Sequence, residues 1–215
     1  MISVRLEELI ELPWIPKTDS PLKSLPDRPA YNYYVSEHAN QLRMVRQSVN
    51  PVEVPPIPKD YKLRQFHRGD DKSYQELFDL AFHMPGALAK TLEKVLTDGF
   101  FVIEHIPSDT IVASCVAERE SISSNNSILG WLVCDPSHTG KRLGTIVAAA
   151  VTNKLVKEGC VSPCLSTDDF RLAAIRIYFD LGWRPYLYNP DMKQRWDKPY
   201  MRLGRDVDSK NYVIP

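Results

Sequence analysis

The sequence carries no net charge, because its 27 Lys and Arg side chains are balanced by 27 Asp and Glu side chains in 215 residues. Without a positive field, neither a nucleic acid nor an acidic membrane surface is expected as a partner. The chain also lacks an apolar run long enough to span a membrane. Hydrophobic residues make up 43% of the chain and charged residues 25%, as in ordinary folded proteins. These features favour a compact protein with a small-molecule partner.

Cysteine is scarce, and its few positions are too irregular for the disulfide scaffold of a small secreted domain. Two cysteines are four residues apart, but no further Cys or His pair would complete a tetrahedral zinc site. Charged side chains interrupt residues 1–16, which lack the apolar core of a signal peptide. We therefore expect reduced thiols, no metal and a cytoplasmic location. The four cysteines are Cys115, Cys134, Cys160 and Cys164.

Glycine is absent from the first 68 residues, while nine prolines precede Tyr61. Proline removes a backbone donor and holds the preceding residue in an extended conformation. Residues 1–60 are therefore predicted to form an extension of arms and turns that packs on the core, with a short helix around residues 35–48. Its role is to cover an edge or an apolar face, or alternatively to contribute to a substrate pocket. Residues 61–215 are predicted to form the domain.

From Tyr61 onwards, the spacing of apolar residues predicts regular elements. An antiparallel beginning is followed by alternating strands and helices, which predicts an α/β (α+β) fold. Its central sheet is expected to be mixed and mostly antiparallel, with helices on both faces. Strands are predicted at 61–66, 100–105, 110–118, 128–134 and 161–166, helices at 73–82, 88–96, 143–157 and 171–181, and a final hairpin from 183–188 and 200–203. One face of the second helix carries Leu88, Leu92, Val95 and Leu96.

Residues 134–145 combine a strand end, a short basic loop and the start of a helix. Free N–H groups of the first helical turn and the helix dipole converge there, and Gly140 and Gly144 would let a phosphate approach the backbone. Lys141 and Arg142 add full positive charges. The segment matches neither a Walker A loop nor Gly-x-Gly-x-x-Gly. It predicts an anion site, with a capped helix that uses glycine only for packing as the alternative.

This segment resembles the acyl-CoA loop of the GNAT acetyltransferases, Arg/Gln-x-x-Gly-x-Gly/Ala after a strand that ends in Val-x-Pro. Cys134 stands in place of that Val, and Thr139 stands where Arg or Gln is usual. Arg142 occupies the position of the first Gly, and Gly144 fits the last one. Arg142 must then adopt backbone dihedrals that a non-glycine residue accepts, such as helical ones.

A second segment, residues 171–183, resembles the family's Asn-x-x-Ala-x-x-x-Tyr-x-x-x-Gly-Phe. Ala174, Tyr178 and Gly182 match, Trp183 replaces Phe, and Arg171 replaces Asn. An amphipathic helix with a buried tyrosine would explain this segment alone, but not both segments in the family's order. The resemblance covers about residues 61–203.

The resemblance implies that strands 128–134 and 161–166 splay apart, with the pantetheine arm of acetyl-CoA as co-substrate in the gap. A backbone N–H near Val133 or Cys134 would stabilise the oxyanion formed by amine attack. Tyr178 would protonate the departing thiolate. The residues that the resemblance assigns to acyl-CoA are Leu132, Val133, Cys134, Thr139, Gly140, Lys141, Arg142, Leu143, Gly144, Thr145 and Arg171.

The general base stays open. Some family members carry a Glu at the start of the strand before the loop, but residues 126–131 contain no carboxylate. Candidates are Glu104, His105, Glu118 and Asp168, each of which would also suit a strand edge or a cap.

Three functional hypotheses follow from the resemblance. The first is transfer of an acetyl or short acyl group to the primary amine of a small molecule, and a homodimer is a possible assembly. An acyl-CoA-binding regulatory module without turnover and acetylation of protein amino groups are the alternatives. Acceptors in this family commonly enter near the final hairpin, where Arg195 and Trp196 could cover one wall of the pocket.

Overall fold

The computed structural model describes residues 40–82, 87–121, 126–206 and 212–214. Within them, strands and helices follow the order β1, β2, α1, α2, β3, β4, β5, α3, β6, α4, β7, α5. The strands are β1 Leu42–Val45, β2 Tyr61–Gln65, β3 Val95–His105, β4 Thr110–Arg119, β5 Ser127–Cys134, β6 Cys164–Thr167 and β7 Arg184–Tyr186. The helices are α1 Asp71–Asp79, α2 Ala87–Lys94, α3 Leu143–Lys157, α4 Leu172–Asp180 and α5 Met192–Arg202.

The strands form one sheet in the order β2-β3-β4-β5-β6-β1-β7. Neighbouring strands are antiparallel except for β5 and β6. In the described strands, this parallel pair has a single register match, Ile128 with Cys164. The two strands therefore part beyond their first residues. The predicted mixed, mostly antiparallel sheet with a splay between these strands is confirmed.

Both faces of the sheet are covered. Alternate residues of β4 point to opposite sides, so Cys115 joins the core beneath α3 while Val116 joins a second core beneath α1. The α3 core contains Ile146 and Val147, and the α1 core contains Phe78 and Phe100. Burial on both faces explains why β4 is apolar along most of its length.

The extension contributes a strand where a short helix was predicted. Residues 42–45 form β1, which lies between β6 and β7, so the helical prediction is wrong for them. Leu42 and Met44 are fully buried and Arg43 is exposed, which is the two-residue period of a strand. Residues 35–39 lie outside the described part, and the boundary at residue 60 stays a prediction.

The predicted final hairpin is also wrong. β7 pairs with β1, and residues 200–202 belong to α5, which runs through Pro199. Trp196 is fully buried and Arg195 is 6% exposed. Trp196 packs in the core against Phe179 of α4, and Arg195 pairs with Asp169 at 2.6 Å.

Two smaller predictions differ from the structure as well. The strand expected at 161–166 begins only at Cys164, and Val161 is exposed. The helix expected at 88–96 ends at Lys94, and β3 follows at once. Leu92 is exposed on this helix, whereas Thr91 is buried.

Candidate active site

A cleft of about 350 Å³ opens where β5 and β6 part. Leu132 lines it from β5, Ser166 from β6 and Tyr178 from α4. Beyond the pair Ile128–Cys164, the edge of β5 that faces β6 has no register partner there. Backbone N–H and C=O groups along such an edge can bind an extended ligand as an added strand.

A β-bulge shapes the β5 side of this cleft. Between the pairs Ser114–Val133 and Val116–Gly130, β5 advances three residues while β4 advances two. The bulge places Trp131 in the left-handed conformation with φ 53°, which is uncommon for a bulky residue. Its indole packs against Phe78 and Phe82 on the α1 side, with ring centroids 5.3 and 5.4 Å away. A bulge increases the local twist, which helps to turn β5 away from β6.

Tyr178 lies on α4 with its ring packed in the α3-side core and 5% of the residue exposed. Burial raises the pKa of its phenol, and the nearby Cys115 thiol acts in the same direction. The phenol is therefore protonated at neutral pH, which is the state that a proton donor needs.

The loop between β5 and α3 has a defined backbone. The carboxylate of Asp135 accepts the backbone N–H and the hydroxyl of Ser137 over 2.7 and 2.6 Å. Gly140 has φ 79°, which favours glycine. Arg142 precedes α3 with φ 60° and ψ 19°, so the expected ordinary helical conformation is wrong. Its left-handed backbone is one that the family's glycine adopts easily.

The first turn of α3 presents free amides. The first hydrogen bond of the helix runs from the N–H of Ile146 to the carbonyl of Arg142. The amides of Leu143, Gly144 and Thr145 precede it, so they have no partner within the helix. Lys141 and Arg142 are exposed beside them. Free amides beside two positive side chains could bind an anion at this helix start.

Gly144 also has a packing role. A Cβ added to it would lie 3.2 Å from both Cys134 Sγ on β5 and Ile177 Cδ1 on α4. Glycine therefore lets the start of α3 approach the end of β5 and the residue next to Tyr178. This close approach places the first turn of α3 against α4, the helix that carries Tyr178.

The remaining residues assigned to acyl-CoA occupy different environments. Leu132 and Arg171 line the cleft, Val133 is buried in the α1-side core, and Thr139 is exposed. Arg171 stacks on the ring of Phe82 with 4.5 Å between guanidinium carbon and ring centroid. Contacts of these residues and of Tyr178 with acyl-CoA stay predictions.

The four candidate general bases lie in different surroundings. Glu104 pairs with Arg64 at 2.5 Å on the β2–β3 side of the sheet. Asp168 lines the cleft, but its carboxylate bonds to Arg171 at 3.3 Å and to Gln41 at 3.2 Å. Glu118 lines the cleft with 2% of the residue exposed, and burial raises its pKa.

His105 belongs to an aromatic group beside the loop. Its ring lies 5.1 Å from that of Tyr61 and 4.7 Å from that of His138. Tyr61 Oη and His138 Nδ1 share a 2.8 Å hydrogen bond, and burial lowers the pKa of His138. Sequence spacing gave no sign of this group, because its members come from three distant segments.

Comparison with known families identifies the chain. Residues 61–183, more than half of its length, match the model of the Acetyltransferase (GNAT) family. The chain belongs to the GNAT family. The family is one of acetyltransferases. No curated protein is similar enough to match the chain.

Solved structures share the GNAT fold. A GCN5-related N-acetyltransferase from Sphaerobacter thermophilus is 19% identical with a TM-score of 0.56, over 68% of this chain and 49% of that one. A GNAT-family acetyltransferase from Novosphingobium aromaticivorans is 16% identical with a TM-score of 0.50, over 67% and 58%. A GCN5-related N-acetyltransferase from Kribbella flavida is 17% identical with a TM-score of 0.50, over 73% and 60%. This chain thus spans half to three-fifths of these proteins, and the likeness shows the fold.

No helix in residues 40–82, 87–121, 126–206 and 212–214 is long and apolar enough to cross a membrane. The same residues contain no group of three or more His, Cys, Asp or Glu side chains that could hold a metal ion. All four cysteines are free thiols.

Proposed function

We propose that this protein is an N-acetyltransferase that moves an acetyl or short acyl group from acyl-CoA to the primary amine of a small molecule. The observation that carries the proposal is the close approach of Gly144 to Ile177, because it places the first turn of α3 against the helix that carries Tyr178. Family membership supports the use of acyl-CoA.

In the proposed reaction the diphosphate of CoA would bind the amides of residues 140–145, assisted by the charges of Lys141 and Arg142. The pantetheine arm would lie along the free edge of β5. The amine nitrogen attacks the thioester carbonyl carbon, the carbon–sulfur bond breaks, the sulfur leaves as a thiolate, and the nitrogen loses a proton to give the amide. Tyr178 would give its phenolic proton to that thiolate.

The size of the cleft supports a small acceptor. A volume of about 350 Å³ is at the lower end of ordinary small-molecule sites. Its lining includes Arg43 and Lys94 as well as Glu118 and Glu120, so it suits a polar molecule. The free thiols fit a reducing compartment such as the cytoplasm.

An acetyl-CoA turnover assay against a panel of small amines tests the proposal, with the released CoA thiol measured by a thiol reagent. Thiol release that depends on both amine and protein supports it. CoA binding in calorimetry without thiol release from any amine would favour a regulatory module. Release with a lysine-containing peptide, but with no small amine, would favour protein amino groups.

A further inference from the structure

Glu118 has an unsatisfied carboxylate in the cleft. Its Oε2 atom is buried and has no hydrogen-bond partner among the described residues. A buried acceptor without a partner is costly and rare in native proteins. The side chain lines the same cleft as Tyr178, so a ligand in the cleft could supply the missing donor.

Gly130 keeps the space beside this carboxylate open. A Cβ added to Gly130 would lie 2.9 Å from Glu118 Oε1, closer than real Cβ contacts allow. Gly130 lies on β5 directly before the bulged Trp131. The absence of a side chain therefore lets the carboxylate of β4 reach the strand that borders the gap.

The charged and titratable groups around Glu118 leave its carboxylate available to a ligand. Burial raises the pKa of Glu118, and Lys94 and the nearby indole N–H of Trp131 partly offset this by favouring the ionised form. Burial raises the pKa of both Tyr74 and Cys115, so these two nearby groups are neutral at neutral pH. Glu120 is exposed and accepts a hydrogen bond from Asn126. Asp168, a half-buried carboxylate in the same cleft, already has Arg171 and Gln41 as partners.

We propose that Glu118 binds the ammonium group of the acceptor and accepts its proton, an assignment that rests on the proposed function. β5 itself has no carboxylate, and Glu118 supplies one from the neighbouring strand. An aliphatic amine with a pKa of about 10.4 is almost entirely protonated at neutral pH. Its N–H bond breaks, the proton moves to Glu118, and the freed lone pair attacks the thioester carbonyl. Tyr178 protonates the departing thiolate as the carbon–sulfur bond breaks, and the nitrogen loses its second excess proton to solvent to give the amide. Exchange with solvent then restores Glu118 and Tyr178.

The test compares two amines of similar size in wild type and Glu118→Gln. n-Butylamine is protonated at neutral pH, whereas 2,2,2-trifluoroethylamine is already mostly neutral. A general base contributes roughly 100-fold or more. Glu118→Gln should therefore lower kcat/KM for n-butylamine by about 100-fold and that for trifluoroethylamine by much less. The rise of kcat/KM with pH that reports Glu118 should disappear. An equal loss for both amines, with an unchanged pH profile, would overturn the assignment.

Controls separate folding and charge from proton transfer. Glu53→Gln removes the same charge from an exposed residue that does not line the cleft, and it should leave the pH profile unchanged. CoA binding by calorimetry confirms that Glu118→Gln is folded. Should it fail to fold, Glu118→Asp replaces it and should show the same selective loss, because the carboxylate is one methylene shorter.

A direct measurement covers the case in which neither of these two amines is a substrate. Carbon-13 NMR of glutamate-labelled protein with CoA would follow the Glu118 carboxyl, assigned by its absence from Glu118→Gln. Addition of n-butylamine should shift this resonance in the wild type. If it does not move, Glu118 does not bind the ammonium group, whatever reaction the protein performs.

Discussion

The carbonyl oxygen of Tyr178 accepts a hydrogen bond from the backbone N–H of Trp183 over 2.9 Å. The N–H of Gly182 bonds to the carbonyl of Phe179 over 3.0 Å, and Gly182 has φ 81°. This pair of bonds is a Schellman motif, which ends a helix at a left-handed residue. The indole Nε1 of Trp183 then donates to Thr152 Oγ1 on α3 at 3.2 Å. The chain thus fixes the end of α4 that carries the phenol.

Gly182→Ala should lower the free energy of unfolding by about 1 kcal/mol, because a Cβ disfavours the left-handed conformation. The effect comes from the backbone, since the nearest atom to the added Cβ would be Arg46 Nε at 3.8 Å. Urea denaturation measures it. Gly182→Asn is the matched variant, because Asn tolerates this conformation better. Equal losses in the two variants would contradict a conformational cause.

Tyr178→Phe should lower kcat by about 100-fold or more, because the thiolate loses its proton donor. The dissociation constant of CoA should change less than about twofold, since the ring and its packing are kept. Steady-state kinetics and calorimetry separate the two quantities. Parallel losses in rate and CoA affinity would instead indicate a packing role for the phenol.

The sequence predicted best those elements whose signals are local. The spacing of Tyr178, Gly182 and Trp183 acts within one helix and its cap, and α4 forms as expected. The apolar stripe of residues 143–157 likewise specifies α3. Both segments owe their structure to neighbours in the chain, so the spacing of residues was enough.

Elements that depend on distant partners were predicted poorly. Four residues of β1 become a strand because β6 and β7, more than a hundred residues later, pair with them. In α5, Met192, Trp196 and Tyr200 have helical spacing, but Pro199 inside the helix obscured it, since proline is usually excluded there. The approach of Glu118 to Gly130 depends on strand register and a bulge, which composition does not reveal.

Arg142→Gly should be more stable than Arg142→Ala by about 1 kcal/mol. Glycine adopts the observed φ of 60° without strain, whereas alanine retains the cost of the left-handed conformation. Both variants remove the guanidinium, so both should weaken CoA binding by the same factor, and the loss should diminish at high salt. Thermal unfolding and calorimetry provide the two measurements. Similar stability of the two variants would mean that the backbone at residue 142 is not left-handed in solution.

Asp70 should make the stability of the β2–α1 region depend on acid pH. Burial alone would raise its pKa, but hydrogen bonds from Arg64 at 2.7 and 2.9 Å and from the N–H of His67 outweigh this and lower the pKa. A lowered folded-state pKa stabilises the fold above the unfolded value of about 3.9, and the stabilisation is lost as pH falls through the folded value.

Asp70→Asn should therefore be less stable than wild type at pH 7, and the difference should shrink as the pH falls below about 4. Urea denaturation at a series of pH values measures it. Asp71→Asn is the matched control, because Asp71 is an exposed neighbour and should show a much smaller pH-dependent difference. A difference between wild type and Asp70→Asn that stays constant from neutral to acid pH would mean that the Arg64 contacts do not lower the pKa of Asp70.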